Sequence, residues 1–223
     1  MQSEELISSS GGRMKIGHRW LDFPEFKILS GQKIAIAGKN GAGKSVFLRH
    51  LMGWSQPIEG HLFSSLWNRP GKIAWFTHQR NPYMDLLVED VLWMGLAKKD
   101  HLHVQSVLRT YELSSLMQQS AQWLSDGEWV RLMMARIALH KPQLALLDEP
   151  TAHLDFIYKE EWKSWVREWN KLGISVCCAT HDVDWIMTEA DEIWWIEEQQ
   201  LSILSPMEFS AKFKKNDNSP GNH

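Results

Sequence analysis

The sequence predicts an α/β fold in which a mainly parallel sheet is combined with an inserted helical subdomain. Short apolar runs alternate with helical patterns along most of the 223 residues, which is typical of strands that pair in parallel through helical crossovers. Over residues 82–137 the helical patterns follow one another without an apolar run between them. The predicted strands end, in chain order, at Ala37, Thr77, Leu147, Thr180 and Ile196.

These patterns predict one domain over residues 13–213. Its predicted parts are a core of residues 13–81 and 138–205 and a helical subdomain of residues 82–137. Two terminal segments are mostly polar, and we expect them to be disordered. These segments are residues 1–12 and 214–223.

Helical periodicity is present in three segments of the predicted subdomain and in one segment of the core. The subdomain segments are DLLVEDVLWMGL, HVQSVLR and YELSSLMQQ. The core segment has a stripe of large apolar residues, which indicates a buried helix face. The stripe consists of Trp162, Trp165, Val166, Trp169 and Leu172. On the strand that follows, Cys177 and Cys178 should face opposite sides of the sheet, so we expect reduced thiols.

Composition argues against several classes of function, although a local basic face is compatible with it. The formal net charge of −3 gives no electrostatic signature of nucleic-acid binding. No apolar segment approaches the roughly 18 residues that a membrane span requires. The first residues contain acidic side chains and lack a long apolar stretch, so we expect no signal peptide.

The segment GKNGAGKS, residues 38–45, matches the phosphate-loop pattern G-x-x-x-x-G-K-[ST] between a predicted strand and a predicted helix. Glycines let backbone N–H groups surround phosphates, and the helix start adds its positive dipole end. We expect Lys44 to reach the β- and γ-phosphates and Ser45 to ligate Mg²⁺. Val46 stands where many such loops have threonine, so one hydroxyl is missing. The candidate nucleotide-binding residues are Gly38, Asn40, Gly41, Ala42, Gly43, Lys44, Ser45 and Val46.

An acidic pair follows the predicted strand in the segment LALLDEP. A carboxylate at the end of a buried strand is costly to desolvate unless a cation or a donor faces it. Asp148 therefore fits an acid that supports Mg²⁺, and Glu149 fits a group that polarises the attacking water. The alternative is a turn that ends the strand and is closed by Pro150.

The segment LSDGE is, on its own, typical of a helix start. Ser125 and Glu128 have the S-x-x-E spacing of a capping box. Asp126 and Glu128 also carry negative charge next to the positive end of the predicted helix. A structural role therefore suffices to explain this segment in isolation.

In combination, these segments resemble those of the ATP-binding subunits of ABC transporters. GKNGAGKS resembles the Walker A motif, LALLDEP the Walker B motif with its catalytic glutamate, and LSDGE the LSGGQ signature. Gln79 corresponds to the Q-loop, residues 151–155 to the D-loop and His181 to the H-switch. Order and spacing agree from Lys15 to Phe209. All six features in this order make the resemblance highly specific.

The resemblance implies an ATPase that uses ATP and Mg²⁺. The implied catalytic residues are Glu149, His181 and Gln79, and the implied metal ligands are Ser45, Gln79 and Asp148. Further implied nucleotide contacts are Asp155 of the D-loop, Ser125 and Gly127 of the signature, and His18 near the adenine-stacking position, with Trp20 close by.

The family also implies a head-to-tail dimer in which each signature covers the ATP of the other subunit. Ser125 and the Gly127 backbone would then contact the partner's phosphate. Two residues depart from the family pattern, because Asp126 replaces a glycine and Glu128 replaces a glutamine. Their repulsion of a polyphosphate is relieved if Glu128 caps its helix and Asp126 points to solvent.

LLVEDVLWMGL and THDVDWIMTEADEIWWI resemble ATPases that drive import of iron–siderophore complexes, haem or cobalamin. The expected partners are a second copy of the chain and integral membrane permease subunits. We expect a cytoplasmic subunit at the inner face of the cell membrane, with membrane contact only through the permease and no nucleic acid. The alternatives are an ABC exporter of haem or drugs, or a soluble ABC ATPase. A P-loop kinase is also possible but would not need Gln79, LSDGE and His181 together.

Overall fold

Nine strands form one sheet in the computed structural model, which describes residues 4–78, 85–96, 101–152 and 154–217. The strands are β1 (Glu5–Ile16), β2 (Arg19–Leu29), β3 (Lys33–Gly38), β4 (Glu59–Phe63), β5 (Ile73–Thr77), β6 (Leu144–Asp148), β7 (Ser175–Ala179), β8 (Glu192–Glu197) and β9 (Gln200–Leu204). The helices are α1 (Lys44–Leu51), α2 (Val88–Trp93), α3 (His101–Thr110), a 3-10 helix (Ala121–Trp123), α4 (Asp126–His140), α5 (Phe156–Lys171), α6 (Val183–Thr188) and α7 (Pro206–Asp217).

The strand order is β4-β1-β2-β9-β8-β3-β7-β6-β5. Strands β8, β3, β7, β6 and β5 pair in parallel, whereas β1 pairs antiparallel with β2 and β4, and β8 with β9. The predicted fold class is thereby confirmed. All five predicted strands are present and pair with one another in parallel, and β2 also pairs in parallel with β9.

The chain ends are more ordered than the sequence predicted. Residues 5–12 belong to β1, which pairs with β2 from Glu5 onward and buries Leu6 and Ile7. The prediction of a disordered segment 1–12 is therefore wrong for these residues. Helix α7 likewise continues to Asp217, past the predicted limit of the ordered chain. Phe209 of this helix is buried and packs against Trp195 of β8. This contact attaches α7 to the sheet.

Alternating side chains give the sheet an apolar core on each face. On β3, Ile34 and Ile36 contribute to the core that includes α1, β1 and β2, while Ala35 and Ala37 face the core under α4 and α5. Cys177 and Cys178 are divided between the two cores in the same way, and both are buried free thiols. Their predicted orientation on opposite faces is confirmed.

The helical subdomain contains α2, α3, the 3-10 helix and α4. Segments DLLVEDVLWMGL and HVQSVLR form α2 and α3, but YELSSLMQQ forms turns, so its predicted helix is wrong. Helix α3 ends at Thr110, and Glu112 adopts a left-handed backbone with φ of 51°. That conformation redirects the chain and stops helical hydrogen bonding.

The predicted apolar stripe of α5 is buried with one exception. Trp162 and Val166 are fully buried, and Trp169 donates from Nε1 to the Tyr111 hydroxyl at 3.0 Å. Leu172 is 67% exposed. It follows the last residue of α5 and leaves the helical path there, so its predicted place in the core is wrong.

We expect Trp162→Ala to lower the free energy of unfolding by about 3–5 kcal/mol, because it removes a buried aromatic side chain and leaves a cavity. Leu172→Ala is the matched control and should change the unfolding free energy by no more than about 0.5 kcal/mol. Urea unfolding followed by tryptophan fluorescence measures both. Equal destabilisation by the two substitutions would contradict this assignment of the core.

Candidate active site

The carboxyl ends of β3, β6 and β7 meet at one edge of the sheet. Ile36 pairs with Ala179, and Ala179 pairs with Asp148, in parallel register. The phosphate loop, the acidic pair and His181 therefore leave the sheet from adjacent strands. In open α/β sheets this crevice beyond the strand ends is where ligands bind.

Two glycines of the phosphate loop occupy positions at which a side chain would be strained. A Cβ on Gly38 would lie 2.4 Å from the Ile196 carbonyl oxygen, and one on Gly43 would lie 2.0 Å from Ile16 Cδ1. Gly43 has φ of 110° and precedes α1, whose start has no side-chain cap. This helix start therefore presents backbone N–H groups to an anion. Val46 lies in its first turn and has no hydroxyl to add.

The Lys44 ammonium lies at the centre of the site. It donates to the Gly38 carbonyl at 3.0 Å and to His181 Nε2 at 2.8 Å, and it lies 3.7 Å from Glu149 Oε1. Burial lowers the pKa of Lys44, against the opposing attraction of the Glu149 carboxylate. A buried cation whose nearest acceptors are uncharged favours an incoming anion. The geometry thus fits the predicted contact with the β- and γ-phosphates.

The side chains predicted to ligate Mg²⁺ lie next to each other. Ser45 Oγ donates to Asp148 Oδ1 at 2.8 Å. Burial raises the pKa of Asp148, against the Ser45 hydrogen bond and the positive charges of Arg49 and Lys44. A hydroxyl and a carboxylate are the hard oxygen donors that Mg²⁺ prefers, so this pair fits the ion. When bound, the ion would neutralise charge on the phosphates.

The Glu149 carboxylate lies next to Lys44 and His181. Its Oε1 lies 3.3 Å from His181 Nε2, and its backbone N–H donates to the Ala179 carbonyl at 2.8 Å. Glu149 has φ of 50°, a left-handed conformation that turns the chain sharply after β6. A carboxylate held beside the phosphate loop can orient and polarise a water molecule.

Gln79, predicted as both a metal ligand and a catalytic residue, lies outside the described residues. The preceding residue, His78, has a contact that sequence reasoning missed. Its Nε2 donates to the Glu149 carbonyl at 2.6 Å, and its ring packs against Phe76 with centroids 5.2 Å apart. The hydrogen bond from His78 therefore fixes the position of the backbone of Glu149, the predicted catalytic glutamate. The available signal was a polar side chain directly after the apolar run that predicts β5.

A cavity of about 300 Å³ opens beside the phosphate loop. Its walls include Ile16, Arg19, Trp20, Asn40, Gly41 and Ala42. His18 lies in the exposed turn between β1 and β2 and is not among the lining residues, whereas Trp20 lines the cavity and is 41% exposed. This placement favours Trp20 over His18 for stacking on adenine.

LSDGE begins α4 with a complete capping box. Ser125 Oγ accepts from the Glu128 N–H at 3.3 Å, and Glu128 Oε2 accepts from the Ser125 N–H and hydroxyl, both at 2.8 Å. The predicted capping role of Glu128 is confirmed, and Asp126 is exposed. Gly127 lies beside the Tyr158 ring, and a Cβ there would lie 3.8 Å from it.

The D-loop residue Asp155 caps α5, and its Oδ1 accepts from the Tyr158 N–H at 3.0 Å. Tyr158 also contacts α4, because the Arg131 guanidinium lies 5.4 Å from its ring centroid. Next to Asp155, Phe156 is 76% exposed and Ile157 is 69% exposed. The starts of α4 and α5 thus form one surface that carries polar caps and two exposed apolar side chains.

Known proteins are similar to this chain in sequence and in fold. A family model described as ABC transporter matches residues 21–152. The chain belongs to the ABC transporter family. It is 32% identical over 187 residues to the aliphatic sulfonates import ATP-binding protein SsuB 3 of Pseudomonas savastanoi pv. phaseolicola, covering 80% of this chain and 68% of the relative.

A second relative is the aliphatic sulfonates import ATP-binding protein SsuB 1 of Shouchella clausii. It is 30% identical over 207 residues, which cover 91% of this chain and 81% of the relative. A solved ATP-binding subunit of an ABC transporter matches with a TM-score of 0.80 at 19% identity, over 94% of this chain and 93% of that chain. The latter likeness establishes the fold.

The chain is therefore an ATP-binding cassette, an ATPase that powers transport. Members of the family bind ATP with Mg²⁺, and importer subunits dimerise and pair with membrane permeases. Among the helices in the described part of the chain, none is long and apolar enough to cross a membrane.

We expect Glu149→Gln to retain ATP binding and to slow hydrolysis about 100-fold or more, because the amide cannot accept a proton from the attacking water. Glu25→Gln, at an exposed position on β2, is the matched control and should hydrolyse ATP at the wild-type rate. Steady-state phosphate release and equilibrium nucleotide binding measure the two properties separately. Undiminished turnover of Glu149→Gln would remove this residue from the catalytic role.

Proposed function

We propose that this chain is the ATPase subunit of an importer for small organic anions of the sulfonate class. The observation that carries the proposal is the 30–32% identity to sulfonate-import subunits over 80–91% of the chain. The sequence resemblance to importers of iron–siderophore complexes, haem or cobalamin supplies the alternative cargo. The nucleotide site is the same for both, because cargo contacts the permease and a binding protein rather than the ATPase.

Uptake in the source organism distinguishes these cargos. We expect a strain that lacks this chain to lose uptake of radiolabelled ethanesulfonate, and wild-type chain but not Glu149→Gln to restore it. Uptake of ferric siderophore, haem and cobalamin is measured in the same strains. Unchanged sulfonate uptake with lost uptake of a chelate would establish the alternative. Accumulation of an expelled compound would indicate the exporter.

We propose that two copies dock head to tail, with the signature of one copy against the nucleotide of the other. The surface formed by the starts of α4 and α5 supports this arrangement. Ser125 and Asp155 lie there with the exposed side chains of Phe156 and Ile157. Exposed apolar side chains beside polar caps are typical of an interaction surface.

A mixed dimer tests this geometry. Lys44→Ala removes the charge that meets the phosphates, and Ser125→Arg places a bulky cation on the signature, so each homodimer should fail to close on ATP. In a mixed head-to-tail dimer both lesions fall in one site and the other site is wild type. We therefore expect ATP-dependent dimer formation to recover when differently tagged mutants are co-expressed. No recovery in verified mixtures would assign LSDGE to helix capping alone.

We propose that the permease docks in a cavity of about 520 Å³ between the helical subdomain and edge strand β5, here termed the subdomain groove. Its apolar walls include Met52, Ile73, Trp75, Met94, Met133 and Ile137. At its rim the exposed Trp54 packs against Trp75, with ring centroids 5.2 Å apart. An apolar groove of this size beside exposed aromatic rings is suited to a partner segment.

A cysteine in the groove tests this docking. Cys177 and Cys178 are buried, so Met94→Cys adds an accessible thiol at a position that is 43% exposed. We expect a bifunctional maleimide to cross-link Met94→Cys to single cysteines in cytoplasmic loops of the co-purified permease. Val183→Cys, also 43% exposed and on α6, is the control and should not cross-link. Equal cross-linking from both positions would contradict docking in the groove.

A further inference from the structure

A side-chain hydrogen bond joins the first residues beyond β5 and β6. Thr77 and Asp148, the last residues of these strands, pair in parallel register, so the chain leaves the sheet from adjacent positions at His78 and Glu149. His78 Nε2 donates to the Glu149 carbonyl at 2.6 Å. The imidazole therefore extends the connection between the two strands by one residue beyond their last backbone pair.

The His78 ring is held by contacts with the core and with α4. Phe76, two residues earlier on β5, is fully buried, and the His78 ring lies edge-on to it with centroids 5.2 Å apart and planes at 79°. Edge-on packing is a preferred arrangement of aromatic rings. The carbonyl of the preceding residue, Thr77, accepts from Trp129 Nε1 of α4 at 3.4 Å. His78 therefore offers its N–H in a fixed direction.

The residue that accepts this hydrogen bond has an unfavourable backbone conformation. Glu149 has φ of 50°, a left-handed conformation in which the side chain crowds the backbone. Such a conformation persists where surrounding contacts hold it. The Glu149 N–H donates to the Ala179 carbonyl at 2.8 Å, and the Glu149 carbonyl accepts from the Ala152 N–H at 3.1 Å as well as from His78. The bond from His78 is the shortest of these three and is made by a side chain.

The position of the Glu149 carboxylate depends on this backbone. Its Oε1 lies 3.3 Å from His181 Nε2 and 3.7 Å from Lys44 Nζ. A bound polyphosphate would compete for the Lys44 ammonium, because its oxygens are anionic. The bond from His78 reaches the main chain of Glu149 rather than its carboxylate, so the nucleotide does not compete with it. It therefore still constrains the carboxylate when nucleotide is bound.

From these contacts we propose that His78 is a positioning residue for ATP hydrolysis. Its N–H holds the left-handed turn at Glu149 and thereby places the carboxylate where it orients the attacking water. The inference rests on the predicted catalytic role of Glu149. Through this bond the imidazole affects the rate of hydrolysis and not the affinity for nucleotide.

Removal of the donor tests this role. His78→Phe keeps a ring against Phe76 but has no N–H, so we expect kcat to fall about tenfold or more, as for a displaced catalytic group. The KM and the dissociation constant for ATP should stay within about twofold of the wild type. His78→Gln offers an amide N–H and should recover most of the rate. His61→Phe, at an exposed position on β4, is the matched control and should hydrolyse ATP at the wild-type rate.

A double-mutant cycle identifies the group through which His78 acts. If His78 acts through the Glu149 carboxylate, adding His78→Phe to Glu149→Gln should slow a single turnover by less than about twofold further. If His78 acted through its neighbour Gln79, an implied metal ligand, the two losses would multiply. The variant would then also need more Mg²⁺ for half-maximal activity. We expect the Mg²⁺ dependence of His78→Phe to match that of the wild type.

A crystal structure of nucleotide-free His78→Phe gives a readout that does not depend on activity. We expect the Glu149 carboxylate to move away from His181 by about 1 Å, a displacement sufficient to slow catalysis. The carboxylate should keep its wild-type position in His61→Phe. An unmoved carboxylate in a His78→Phe variant that hydrolyses ATP slowly would overturn the inference.

The remaining outcomes separate this inference from the role of Glu149. Wild-type turnover of His78→Phe, with slow turnover of Glu149→Gln, would overturn the inference while Glu149 keeps its role. Undiminished turnover of Glu149→Gln would overturn both. Thermal unfolding shows whether each variant folds, and His78→Leu, which also lacks a donor, replaces His78→Phe if the latter does not. Loss of ATP binding by a folded variant would assign His78 to general structural support and overturn the inference.

Discussion

The buried ammonium of Lys44 is the interaction on which the nucleotide site depends. It joins the end of β3 at Gly38 to His181 beyond β7 and to Glu149 beyond β6, over distances of 2.8–3.7 Å. Parallel pairing brings these three strand ends together, and the cation offsets the repulsion between Asp148 and Glu149 that would otherwise oppose it. A bound polyphosphate would offer Lys44 anionic oxygens in place of its uncharged acceptors, the Gly38 carbonyl and His181 Nε2. The charge that organises the free site is thus the one that binds nucleotide.

The sequence predicted the parts of the molecule whose residues are constrained locally. The phosphate loop follows from backbone geometry around phosphates. Strands β3, β6 and β7 are buried on both faces and therefore appear as apolar runs. Strands β1, β2, β4 and β9 were missed because they pair mainly antiparallel and are partly exposed, and β2 even includes Pro24. The left-handed Glu112 and the contact of His78 with Glu149 depend on tertiary packing. The periodicity of the sequence contains no information about the Glu112 conformation or about the contact between His78 and Glu149.

The two interpretations of LSDGE describe one structure. In the free chain the Glu128 carboxylate accepts from both the N–H and the hydroxyl of Ser125, so the helix start is already satisfied. A partner's phosphate at this surface has to compete for the Ser125 hydroxyl, and it also meets the charge of Glu128. The cap that stabilises α4 therefore opposes closure of the proposed dimer. An uncharged glutamine at this position, as in the family signature, would still compete with the phosphate for the Ser125 hydroxyl. It would not repel the phosphate by its charge.

Helix α4 connects the two surfaces that the chain is proposed to use. It has 15 residues, which corresponds to roughly 22 Å at 1.5 Å per residue. The signature forms its first turn, whereas Arg136 and His140 face the subdomain groove near its other end. Between them Arg131 ties the helix to α5 through Tyr158, and buried apolar residues hold it in the subdomain. A displacement of the helix at the groove would therefore also displace Ser125 at its first turn. Coupling between two sites requires an element that both displace, and α4 meets that requirement.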